Sequence, residues 1–241
     1  MLDVYITFDT EIWCDGWNNL DDKFNDYFQR YVYGHTSKGE YALPINLKIL
    51  EDNGLKATFF VEPLFSERFG IAPLSELVGV IQQAKQDVQL HIHTEWLDEA
   101  HNRLLPDIDV KTQYLFQFEL DHQERILQHG LELLSKAGVT SISAFRAGSF
   151  AANLDTLSAL SRVGITIDSS YNPAMTHLID HISDGDKAFF QPKIVNDVCV
   201  YPVSAINDVL GLRHLQVTAC SFSEFKFALD KAEAENWDSL V

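Results

Sequence analysis

Three times in its 241 residues the chain runs an apolar-periodic stretch into a glycine and then into a short β-branched run. Ile49-Leu50-Glu51-Asp52-Asn53-Gly54 precedes Thr58-Phe59-Phe60-Val61, and Leu133-Leu134-Ser135-Lys136-Ala137-Gly138 precedes Ser141-Ile142-Ser143-Ala144-Phe145. Leu160-Ser161-Arg162-Val163-Gly164 before Ile165-Thr166-Ile167 completes the series. Glycine just past the last helical turn takes the left-handed cap at no steric cost, so each unit reads helix, stop, strand. Helices alternating with short apolar strands imply a parallel sheet covered by helices, an α/β fold.

The same reading predicts further strands at Asp3–Phe8, Val88–His93 and Val198–Val203, with a last one opening at Ser239. Helices are expected over Pro44–Asn53, Ala72–Lys85, Gln113–Lys136, Leu154–Arg162 and Ser223–Ala234. That count fits a seven- or eight-unit barrel better than an open sheet, and no shift in composition divides 1–241 into more than one domain. A chain of this length buries roughly 70–75% of the surface that its unfolded form exposes. Two long connections, Trp13–Tyr41 and Leu97–Lys111, interrupt the cadence. Loops of such length are functional or disordered, and the seven aromatics between Trp13 and Tyr33 argue against disorder.

Charge narrows the partners. Eighteen basic against 35 acidic residues give a net charge of -17, which disfavours nucleic acid and anionic membrane. No window approaches the ~18 uncharged apolar residues of a membrane span. The start, Met1-Leu2-Asp3-Val4-Tyr5, shows neither a basic leader nor a cleavage site. Cys14, Cys199 and Cys220 are odd in number and lack paired spacing. A reducing cytoplasm is the expected compartment.

Chemistry-bearing residues gather at strand ends. In Tyr5-Ile6-Thr7-Phe8-Asp9-Thr10-Glu11, period-two alternation turns Thr7, Asp9 and Glu11 to one face, leaving two carboxylates at the carboxyl end of the first strand. In parallel α/β folds that end is where reacting groups collect. Acids so close raise one another's pKa unless a cation intervenes. Val88-Gln89-Leu90-His91-Ile92-His93-Thr94-Glu95 offers the cation site, since His91 and His93 share a strand face and imidazoles are common metal ligands. Glu95 stands four residues after His91, so a helical turn there would bring it, rather than His93, to the site. Arg146, in Phe145-Arg146-Ala147-Gly148-Ser149-Phe150, carries a fork able to keep a carboxylate ionised. Asp168, in Ile167-Asp168-Ser169-Ser170, is an acid at yet another strand end.

Taken in order, Thr7-Phe8-Asp9-Thr10-Glu11, His91-Ile92-His93, Arg146-Ala147-Gly148-Ser149-Phe150 and Asp168-Ser169-Ser170 resemble the successive motifs of the polysaccharide deacetylases, metal-dependent carbohydrate esterases related to chitin and peptidoglycan deacetylases. The resemblance spans essentially the whole chain. It implies a distorted (β/α) barrel with about seven parallel strands and a single deacetylase-like domain over 1–241, short of the family's last motif. It implies Asp9 as general base, a divalent metal, zinc being the best fit, held by Glu11, His91 and His93, Arg146 orienting the base, and Asp168 supporting the charged cluster. It also implies an N-acetylated sugar as substrate. Trp13 and Trp17, nearest the acids in the aromatic loop, would stack on its rings. His35, His101, His122, His129, His177 and His181 read as structural or solvent-facing.

Three departures qualify this. The acids are spaced D-x-E, where the commoner family form has two adjacent aspartates, so Asp9 and Glu11 could exchange roles. The family's second motif supplies histidines at i and i+4, whereas this chain has His91, His93 and Glu95; His93 is assigned over Glu95 because nitrogen better suits zinc-like metals. The family's terminal general-acid histidine has no counterpart after Trp237-Asp238-Ser239-Leu240-Val241, and His214 reads as a surface residue rather than a substitute. The sequence is then truncated before that histidine or has lost it. Related sequences remove formyl groups or open cyclic ureides, and a non-catalytic glycan binder is the remaining alternative.

Overall fold

The computed structural model describes residues 1–108, 110–175, 182, 188–208 and 211–241. His177 and His181, expected to be structural, lie outside the described residues. The chain forms two units: Thr7–Lys111 with His129–Ile142, and Met1–Ile6 with Thr112–Gln128 and Ser143–Val241.

In the first unit, strands β1 (Ile6–Thr10), β2 (Ala57–Val61) and β3 (Asp87–Ile92) lie side by side in that order. β2 and β3 run parallel with Val61 opposite Leu90, and the Glu62 N–H donates to the Thr10 carbonyl at 3.0 Å, tying the ends of β1 and β2. Helices α1 (Leu20–Phe28), α2 (Leu43–Asp52), α3 (Ser66–Phe69) and α4 (Ile71–Gln83) belong to the same unit. The expected stop at Gly54 is present, with φ +63° after α2. α4 buries Leu74, Leu77, Val78 and Ile81, an i, i+3, i+4, i+7 stripe in which each side chain contributes about 1.5–3 kcal/mol of burial.

The long connection Trp13–Tyr41 is not a loop throughout. It contains α1, a π-helical turn at Gln29–Tyr33 and a two-residue ladder of His35–Thr36 with Gly39–Glu40. The signal was four-residue spacing: Leu20, Phe24 and Phe28 are buried on one face of α1, and Phe24 stacks on Phe69 at 3.7 Å between ring centroids.

In the second unit, β4 (Ala144–Ala147), β5 (Ile167–Asp168), β6 (Lys193–Val195) and β7 (Val198–Val200) are ordered β4-β5-β7-β6. Helix α5 (Leu120–Lys136) begins here and ends in the first unit; α6 (Leu154–Arg162) and α7 (Phe222–Ala234) follow. β5 is parallel to both β4 and β7, whereas β6 pairs antiparallel with β7. Strand direction therefore departs from the all-parallel expectation at this edge. Asn196-Asp197, both at positive φ, make the two-residue reversal that a hairpin needs.

Strand limits also shift. Asp3–Val4 pairs with Ser239–Leu240 and is separate from β1, because the two segments take different partners. The strand expected over Val198–Val203 ends at Val200, and α5 begins seven residues later than the expected Gln113, after a 3₁₀ turn at Leu115–Gln117. Gly130 explains how closely α5 packs in the first unit: a Cβ there would lie 2.8 Å from the Ile92 Cδ1 and 2.9 Å from the Leu90 Cδ1. Both belong to β3, whose end carries the paired histidines. No helix among the described residues is long and apolar enough to cross a membrane. The three cysteines are free thiols, Cys14 buried and the others half-buried.

Candidate functional site

The carboxyl ends of β1 and β3 bring Glu11, His91 and His93 together in the first unit. One ligand atom from each, a carboxylate oxygen and two ring nitrogens, lies within 4.8 Å of the others. Glu11 Oε2 is 3.4 Å from His91 Nε2 and in closer contact with His93 Nε2. That same Oε2 is buried without a hydrogen bond among the described residues. A buried carboxylate oxygen set against two ring nitrogens is a group of atoms that a shared positive centre draws together. The donor set, two imidazoles and a carboxylate, is one that zinc favours, and it fits the group that the resemblance implies.

Burial works to raise the Glu11 carboxyl, but the His91 and His93 rings beside it outweigh that and hold it well below the ordinary range. His93 shows the mirror image: burial lowers it, yet Glu11 and Glu95 raise it to about 10. The cluster thus stores a strong mutual attraction between acid and base, the charge pattern that a cation replaces.

The His93 ring is fixed on several sides. Its Nδ1 is 3.3 Å from Glu95 Oε2, Trp13 meets it edge-on at 4.8 Å, and His91 meets it edge-on at 4.9 Å. Glu95 does not reach the converging atoms; it stands behind His93, on a 3₁₀ turn at Thr94–Trp96. Asp9, one residue pair away on β1, is exposed and is not among the three converging residues.

Trp17 sits next to this cluster. The Lys111 Nζ lies 3.8 Å from its ring centroid, and Trp13 and Trp96 abut it edge-on at 5.7 and 4.9 Å. Lys111 in turn donates to the Glu95 carbonyl at 2.9 Å, Asp98 Oδ1 at 2.7 Å and Glu99 Oε1 at 2.8 Å. A cation on an indole face attracts its quadrupole, so this face of Trp17 is engaged with the chain itself. Trp13 and Trp17 are both half-buried.

Sequence reading passed over Glu62, the acid directly after β2. It is fully buried, and its carboxyl accepts the Leu64 N–H at 2.8 Å and the Phe65 N–H at 3.3 Å, capping the turn into α3. Burial pushes it up to about 8 despite those bonds and the nearby His93, with Glu11 adding to the rise. The signal was available: an acid follows an apolar strand here, as Asp9 and Asp168 sit at the ends of theirs.

Arg146 and Asp168 occupy the second unit, at the ends of β4 and β5. Arg146 Nε donates to the Ser169 carbonyl at 3.1 Å and Nη2 to Ser169 Oγ at 2.9 Å. Ser170 supplies Asp168 with a backbone N–H at 2.9 Å and a hydroxyl at 2.6 Å, while its Oγ accepts the Ala147 N–H at 2.9 Å. Burial drives Asp168 up to about 6, against the two Ser170 bonds and the Arg146 charge. His214 is half-buried rather than a free surface residue: its Nδ1 is 3.4 Å from Asn172 Nδ2, its Nε2 is 2.9 Å from Gln216 Oε1, and its ring packs 6.2 Å from Phe150.

No protein-family model matches the sequence, and neither does any curated protein. Among solved structures, a candidate polysaccharide deacetylase from Mycobacterium smegmatis is similar over 100% of this chain and 75% of its own, at 18% identity and a TM-score of 0.59. That likeness shows the fold: it is the fold of the polysaccharide deacetylases. A family 4 carbohydrate esterase from Streptomyces lividans in complex with acetate matches 73% of this chain and 66% of its own, at 16% identity and a TM-score of 0.42. The latter alignment is too loose to argue from.

Proposed function

We propose that the chain, taken as one deacetylase-like domain, is a metal-dependent hydrolase that removes the acetyl group from the nitrogen of an aminosugar. The observation that carries this reading is the convergence of Glu11, His91 and His93 around a buried carboxylate oxygen that has no hydrogen bond of its own. Their donor set suits zinc. A divalent cation held by these three supplies Lewis acidity toward the amide carbonyl and a lowered pKa for water.

The other steps belong to the chain. Asp9, exposed at the end of β1 beside Glu11, takes the proton from the attacking water. The resemblance gives Arg146 the task of orienting that base and Asp168 that of supporting the charged cluster. Water adds to the acetamide carbon, and collapse breaks the C–N bond, releasing acetate and the amine. The departing nitrogen takes up a proton as the amine leaves. Trp13, edge-on to His93, is better placed than the lysine-covered Trp17 to meet a sugar ring near the ligands.

The free thiols suit a reducing compartment, so the substrate we propose is a cytoplasmic N-acetylated precursor of a surface polysaccharide or glycolipid. The test is product detection on a panel of N-acylated sugars with metal analysis of the purified protein. Acetate with about one equivalent of zinc is expected, and formate or a ring-opened ureide would reassign the amide. Asp9→Asn should abolish acetate release and leave the metal content intact; equal turnover would remove Asp9 from the mechanism.

A further inference from the structure

The residue after next to His93 has no task in that scheme, yet its side chain is committed. Glu95 is buried at 6% exposure, and its Oε2 stands 3.3 Å from His93 Nδ1, on the opposite edge of the ring from the Nε2 that faces Glu11. An imidazole has two nitrogens, and a neutral ring carries its hydrogen on only one. If Nε2 presents a lone pair to a cation, Nδ1 must hold the hydrogen, and a carboxylate beside Nδ1 selects that tautomer.

The support behind Glu95 is rigid. Its 3₁₀ turn is anchored by Trp96, which is 2% exposed and boxed edge-on by Trp17, Phe65 and Phe69 at 4.9, 6.4 and 6.1 Å. The Glu95 carbonyl accepts the Lys111 ammonium at 2.9 Å, which fixes the backbone as the indole fixes the neighbouring side chain. A carboxylate held this firmly can fix the ring plane of His93 as well as its tautomer.

We infer that Glu95 is a positioning residue, the outer partner that presents His93 to the metal through Nε2. This rests on the metal-centre reading above and assigns Glu95 a place outside the ligand set. The side chain would never touch the ion; its effect is transmitted by one N–H···O bond.

The experiment compares wild type, Glu95→Ala and Glu95→Gln by zinc competition against a chromophoric chelator, together with proton NMR of the zinc-loaded proteins. Wild type should show a slowly exchanging His93 Nδ1–H resonance. Glu95→Ala should lose it and bind zinc about 10–100-fold more weakly, as expected for loss of an outer partner. Glu95→Gln, whose amide oxygen can still accept the Nδ1–H, should keep the resonance and most of the affinity. Zinc binding by Glu95→Ala within twofold of wild type overturns the inference and leaves the metal centre standing. No zinc binding by wild type overturns both. If the alanine variant does not fold, the glutamine variant decides: retention of the resonance supports the role, and its loss refutes it.

Discussion

Two buried polar clusters sit at strand ends in this protein, and they are finished to different degrees. Around Asp168 both carboxylate oxygens are met, one by the Ser170 N–H and one by its hydroxyl, and Arg146 is braced on Ser169. Around Glu11 a buried oxygen faces two imidazoles and accepts no hydrogen bond. The Asp168 carboxylate is thus closed by bonds from the chain. The Glu11 cluster stands open, a carboxylate oxygen and two ring nitrogens converging where a cation can be shared, and a buried polar atom without a partner costs about 1–3 kcal/mol.

The contrast can be broken most decisively at the open cluster. His91→Ala should weaken zinc binding by more than the roughly 10–100-fold typical of losing an outer-shell partner, since a ligand itself is gone. Unaltered zinc affinity by competition titration would mean that the three atoms do not share an ion. At the closed cluster the response should move to stability. Ser170→Ala removes the hydroxyl that serves both Asp168 and Ala147, leaving two buried groups short, and should cost about 1–3 kcal/mol in denaturant melts with zinc stoichiometry unchanged. Loss of zinc without loss of stability would invert the comparison.

A third change sharpens it with pH. Glu62 has its carboxyl raised in the fold from 4.5 to about 8, so its contribution is fully present below 4.5 and is lost as pH climbs through 8. In the unfolded chain the acid ionises freely over that interval, which favours unfolding. Glu62→Gln cannot ionise and can still accept one of the two N–H groups. Its melting temperature should therefore gain on wild type by a few degrees, roughly, between pH 5 and pH 8. A constant offset across that range would show that Glu62 titrates normally.

Most of this architecture was written in local patterns. The helix, glycine and strand cadence located α2, α6 and the strands that follow them, because capping and periodicity act within a few residues. The three converging residues were legible because a strand alternates its faces. The sequence could not say which side of His93 Glu95 would occupy, since that depends on a single 3₁₀ turn anchored by Trp96. β6 was missed because Lys193–Val195 is too short to declare itself, and α1 because its apolar spacing was embedded among aromatics that suggested a binding loop. Lys111 was invisible in advance for a simpler reason: its partners Trp17 and Glu95 are remote from it along the chain.

That lysine has a geometric corollary. An indole has two broad sides, and here an ammonium tethered by Asp98 and Glu99 shuts one of them. Trp17 therefore keeps at most one broad side for contacts outside this network, and the ammonium that covers the other is itself tied to two carboxylates.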